Sequence, residues 1–167
     1  QSRLGLDQRL MGDPKQPFNY YTSATVALFR ASRVDRSDVL SSDANLAVGL
    51  LRAFSEGVLP ASEAFDPTLL GRFLAIAEVW GVQHALIWHN LRFYFNPITA
   101  LLEPIGFDAD SQAISPIGER IAANEPIAAE FLEDDRVRAV YEAAVVEIAR
   151  AIVEGDIDVQ GILGMDP

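Results

Sequence analysis

Cysteine is absent from this 167-residue chain, and Lys15 is its only lysine against 24 acidic residues. The first absence excludes a disulfide framework and a thiolate metal centre, but leaves the compartment open. The second, with a formal net charge of −11, argues against a surface built for nucleic acid or an anionic membrane, since either needs clustered Lys and Arg. No apolar run is long enough to span a bilayer. The chain begins at Gln1 with no apolar leader, so it reads as a mature form or a piece of a longer protein; a secreted or cell-surface parent is compatible with it, and so is a cytoplasmic one. Three motifs are also missing: a Gly-rich loop ending in Lys, Gly-x-Ser-x-Gly and His-Glu-x-x-His. Their absence removes the usual sequence signals of a P-loop nucleotide site, a nucleophile elbow and a zincin.

What is present is apolar bulk. Half the residues are hydrophobic, enough for a real core, and the length suits one domain. Residues 1–40 read as a loosely structured segment: Gly12 to Pro17 is rich in turn formers, and Asn19 to Arg30 holds β-formers enough for one strand. From residue 41 the pattern turns helical. Ser42 or Asp43 is expected to cap a helix that Gly57 stops. Asp66-Pro67 starts another, apolar nearly all round and so expected to be central and buried, which Gly81 ends. His84 to His89 reads as short helix or irregular. Leu91–Phe95 and Leu101–Ile105 read as two strands joined by a turn at Asn96-Pro97-Ile98-Thr99. Helices follow from Ser115-Pro116 to Asn124, from Glu125-Pro126 to about Leu132, and from Asp134 or Asp135 to Gly155. The expected fold class is mainly α with a small antiparallel β-hairpin, residues 41–167 forming a helical domain around the hairpin at 91–105.

The hairpin organises the candidate chemistry. Asn90 precedes its first strand and Asp108 follows its second, so both are expected at the same end. An Asn and an Asp so placed can hold a divalent cation and, through it, phosphate oxygens. Asp110 is a second candidate carboxylate. His84 and His89 lie on the approach to Asn90 and are candidates for positioning substrate or moving a proton, although a spacing of five keeps them off a shared helical face. Against this stand structural roles: Asn90 as a cap, Asp108 and Asp110 as turn residues, the histidines as hydrogen-bonded core. Phe93, Tyr94 and Phe95 are read as hairpin packing rather than a base-stacking platform, given acidic surroundings. Arg92 is expected to point outward and to pair with Glu103 on the opposite strand.

These residues resemble the CotH kinase family, the spore-coat-protein-H-like atypical kinases. The resemblance rests on Phe73 to Gly81, then Trp88-His89-Asn90-Leu91-Arg92-Phe93-Tyr94, then Glu103-Pro104-Ile105-Gly106-Phe107-Asp108, with a later helix resembling Phe131 to Tyr141. It covers roughly residues 44–153. It implies a protein-kinase C-lobe-like arrangement and phosphoryl transfer from Mg-ATP or Mn-ATP to a protein hydroxyl. Asn90 matches the catalytic-loop Asn that helps hold metal, and Asp108 the Asp whose metal bridges the ATP phosphates. Two departures accompany the match. Ala85 stands where the kinase order places its catalytic Asp, leaving His84 as the nearest substitute. Most of an N-terminal lobe is missing before Asn90. The alternative is therefore a catalytically inactive kinase-like module that binds a protein or cell-envelope partner. The missing lobe predicts an exposed apolar face through which two copies would pair.

Overall fold

The computed structural model describes residues 26–87, 90–107, 121 and 125–157. In chain order they form α1 (Ala31–Val34), α2 (Asp38–Ser55), α3 (Ala61–Ala64), α4 (Pro67–Val79), a 3-10 turn (Gln83–Leu86), β1 (Arg92–Asn96), β2 (Leu101–Ile105), α5 (Pro126–Glu133) and α6 (Asp135–Glu154). The protein is mainly helical with one two-stranded antiparallel sheet, as the sequence pattern predicts.

Side-chain caps set the sharpest boundaries. Asp66 Oδ1 accepts from the N–H groups of Thr68 and Leu69, both at 2.9 Å, and Pro67 fills the first position of α4. Asp134 Oδ1 accepts from Arg136 N at 2.8 Å and starts α6, while its Oδ2 accepts from Ser62 N at 2.8 Å and so ties α6 to α3. Gly81 and Gly155 take up φ of 64° and 81° just past α4 and α6, a conformation that costs glycine little.

Three expectations need correction. Helix α2 begins at Asp38, capped by Ser37 Oγ, so it crosses the boundary placed at residue 40 and starts a turn before Ser42. Its first turn lies outside the buried stripe, with Val39 70% exposed. The strand expected up to Arg30 is not formed in its described part: residues 26–28 are irregular and Phe29-Arg30 is a turn leading into α1. β-Formers need a neighbouring strand, and the sheet's order is β1-β2 alone among the described residues. Helix α4 buries Leu70, Leu74, Ala75 and Ala77, but leaves Leu69 and Ile76 42% and 49% exposed, so it is covered on one side only. The helix expected from Ser115 to Asn124 lies outside the described residues except for Ile121, which is helical and buried.

The core is built from two joints. At the first, Phe65 is fully buried with its ring centroid 5.1, 4.9 and 5.1 Å from those of Phe54, Phe93 and Phe131, so α2, β1 and α5 meet on one side chain. Burying a side chain of this size contributes roughly 1.5–3 kcal/mol. The hairpin is fixed there too, since Phe65 bridges Leu102 and Asp66 N donates to Leu102 O at 2.8 Å. At the second joint α4 crosses α6 at Gly71, where a Cβ would lie 2.7 Å from Val140 Cβ. The hydroxyl of Tyr141 on α6 donates to the Glu78 carboxylate on α4, which also accepts from Ile121 N at 3.2 Å.

Candidate functional site

The chain leaves α4 through Gly81, and Val82, Ala85 and Leu86 then sink into the core at 8%, 2% and 0% exposure. These anchors fix the 3-10 turn and present His84 between them, partly exposed. Asn90 closes the loop. Its backbone N–H donates to Ile87 O at 2.7 Å and its Nδ2 donates to His84 O at 3.1 Å. Among the described residues it is the one buried polar side chain, 5% exposed. A carboxamide held in this way has a fixed orientation, and it shares the His84 carbonyl with Ile87 N, which donates to it at 3.3 Å.

The hairpin begins directly after Asn90. Its register pairs Arg92 with Ile105, Phe93 with Pro104, Tyr94 with Glu103, Phe95 with Leu102 and Asn96 with Leu101. Phe93 and Leu102 share the inward face, as the packing expectation for the aromatic run requires of Phe93. Arg92 does point outward, but the expected ion pair with Glu103 is replaced by other contacts. The guanidinium lies 4.5 Å over the Phe107 ring, while Glu103 faces Tyr94 and accepts from Asn96 Nδ2 at 2.7 Å. In the register Ile105 stands opposite Arg92, and Glu103 opposite Tyr94. The stacked Arg92 and Phe107 bring the outgoing chain back beside the strand that follows Asn90.

The predicted site residues divide accordingly. His84 and Asn90 are brought together, through the His84 carbonyl. His89, Asp108 and Asp110 lie outside the described residues. The structure adds a carboxylate that the sequence reading took only as a helix start. Glu125, at the N-terminus of α5, is half-buried and interacts electrostatically with His84. Burial pushes its carboxyl above the usual range, and the nearby His84 opposes that rise. It does not cap its own helix. No spacing rule links Glu125 to His84; only the return of the chain through α5 does.

Away from this loop, α4 and α6 flank an apolar groove of about 580 Å³ lined by Ile76, Trp80, Val82, Ala144, Ile148 and Ile157. Arg72 and Glu147, ion-paired at 2.9 Å, also border it. Among the described residues no helix is long and apolar enough to cross a membrane.

Comparison of the chain with protein-family models, with curated proteins and with solved structures gives no match.

Proposed function

We propose that the chain is a CotH-like atypical kinase module with a kinase C-lobe-like order of parts, serving phosphoryl transfer from Mg-ATP or Mn-ATP to a protein hydroxyl. The observation that carries this reading is the buried, doubly tethered Asn90 at the foot of the hairpin. Mg²⁺ takes oxygen ligands, and the Asn90 carboxamide carries one in its Oδ1. Asp108, next in sequence to Phe107, is the second ligand in this reading; Asp110 is a further carboxylate. When bound, the metal would neutralise charge on the transferred phosphoryl group. Asn90 orients its ligand atom, and His84, beside Ala85, is the side chain nearest in sequence to the role of accepting the substrate hydroxyl proton.

A second reading, an inactive kinase-like module that binds a protein or envelope partner, draws on Ala85. It is 2% exposed, and a buried methyl group can neither accept a proton nor orient a hydroxyl. One titration separates the two. Mg-ATP and Mn-ATP are titrated calorimetrically into the wild-type chain and into Asp108→Asn. Metal-dependent nucleotide binding that Asp108→Asn abolishes supports the kinase module. Absent binding, or equal binding in both proteins, supports the interaction module.

A further inference from the structure

Helix α6 buries Val137, Tyr141 and Ala144 against the core. On a 3.6-residue repeat the opposite side of the helix carries Ala139, Val146 and Val153, with Ala143 and Arg150 between them. All five are exposed, Val146 at 58% and Val153 at 87%. Helix propensity does not account for the two valines, since a β-branched residue is a poorer helix former than alanine or a long charged residue. The alternating steps of four and three residues along this line are those of a seam where one helix packs on another.

The charges beside the seam are self-complementary. Glu142 and Arg150 stand four residues to either side of Val146, and Arg136 and Glu154 lie along one edge near the two ends of the helix. Among the described residues these four take no part in the ion pairs of α6, which join Arg138 to Asp135 and Glu147 to Arg72. A two-fold axis through Val146, perpendicular to α6, sets Glu142 of each copy beside Arg150 of the other and brings Arg136 toward Glu154. A parallel pairing would instead set arginine on arginine and glutamate on glutamate.

We propose that the outer face of α6 is a self-association surface, on which a second copy of this chain packs antiparallel about Val146, with Ala139 against Val153 and Glu142 paired to Arg150 on both sides. The occupant is a second copy because a two-fold interface must complement itself, and this charge pattern does so. The small side chains of Ala139 and Ala143 admit a helix at about 8–10 Å between axes. With Arg72 they border a shallow depression of about 280 Å³, which takes the aliphatic stem of Arg150 from the second copy. One helix from each copy makes an interface at the low end of the size range, below about 1,200 Å², so a dimer that dissociates at micromolar concentrations is expected. The surface shares no residue with the Asn90 loop and does not rest on the phosphotransfer reading.

Sedimentation equilibrium on the full chain, from about 1 μM to about 1 mM, should show monomer and dimer in exchange. Val146→Glu places like charges on the axis and should weaken the dimer by about tenfold or more; position 146 is 58% exposed, so the fold should be kept, which circular dichroism checks. Glu142→Arg should weaken the dimer likewise, and adding Arg150→Glu to that variant should restore it. The absence of native cysteine makes the orientation readable by oxidation. Val146→Cys should give a covalent dimer. Val153→Cys should not, because the two copies of that position lie about 21 Å apart along an antiparallel pair, and a disulfide needs Cα atoms within about 7 Å. Four results would overturn the proposal: a monomer throughout the range, a dimer indifferent to Val146→Glu, a double variant as weak as Glu142→Arg, or a covalent dimer from Val153→Cys in preference to Val146→Cys.

Discussion

Replacing Gly71 by alanine should destabilise the protein, although alanine is the better helix former. Relative to Gly, Ala in a helix interior gains about 1 kcal/mol. At Gly71 the new Cβ would lie 2.7 Å from Val140 Cβ, 2.8 Å from Val140 Cγ1 and 2.9 Å from Tyr141 N. Carbon atoms rest at about 3.5–4.0 Å, so α4 and α6 must separate by several tenths of an ångström or more. A rotamer change cannot relieve the contact, because two of the three atoms, Val140 Cβ and Tyr141 N, are fixed by the α6 backbone. Overpacking of this kind costs about 1–3 kcal/mol. Backbone involvement places Gly71 toward the upper end, leaving a net loss of about 1–2 kcal/mol once the propensity gain is subtracted. Gly49→Ala on α2 is the matched control: its Cβ would meet nothing within 4 Å, so propensity alone acts and stability should rise by up to about 1 kcal/mol. Urea unfolding followed by circular dichroism would read both as shifts in midpoint at constant slope. A loss of 1 kcal/mol corresponds to roughly 2–4 °C in Tm for a domain of this size. Val140→Ala should rescue Gly71→Ala only in part, since it removes Cγ1 and leaves Cβ and the Tyr141 amide in place. If Gly71→Ala stabilises the protein as Gly49→Ala does, the close crossing of α4 and α6 is wrong.

Ala100 ends the hairpin turn at φ 56°, so Ala100→Gly should raise stability by roughly 0.5–1 kcal/mol in the same urea assay. Asp134→Ala removes a cap and the link to Ser62 together, and should cost about 1–3 kcal/mol. Burial raises the Asp134 carboxyl, but hydrogen bonds from Ser62, Arg136 and Val137 outweigh it and hold the group below the usual carboxylate range. The stability this contributes is present above the ordinary Asp pKa of about 3.9 and is lost as pH falls through the lower folded value; Asp134→Asn should therefore flatten the acid limb of a Tm-against-pH curve. Glu125 has the opposite sign. Burial raises its carboxyl, with His84 opposing, so its charge is a cost at neutral pH that protonation removes. Glu125→Gln should melt higher than wild type at pH 7, with the difference shrinking as pH falls through the raised folded value and gone below the ordinary Glu pKa; a constant difference would show that Glu125 acts through packing alone.

Much of the fold was legible because its determinants are local. Asp66-Pro67, Asp134, Gly81 and Gly155 act on backbone groups within a turn of themselves, and the short strands around Asn96-Pro97 find each other across four residues. Where neighbours in sequence decide the structure, the sequence suffices to read it. The remainder depended on residues far apart in the chain. The exposed side of α4, the stacking of Arg92 on Phe107 in place of Glu103, and the closing of Asn90 onto the His84 carbonyl follow from packing and register. Glu125 meets His84 only because α5 returns to the 3-10 turn, and the groove lies between α4 and α6, which cross closely at Gly71. Composition and periodicity determined that there would be helices, a hairpin and a core. Which polar groups meet, and which apolar faces stay open, was settled by tertiary structure, since burial and electrostatic contact are properties of distance in space.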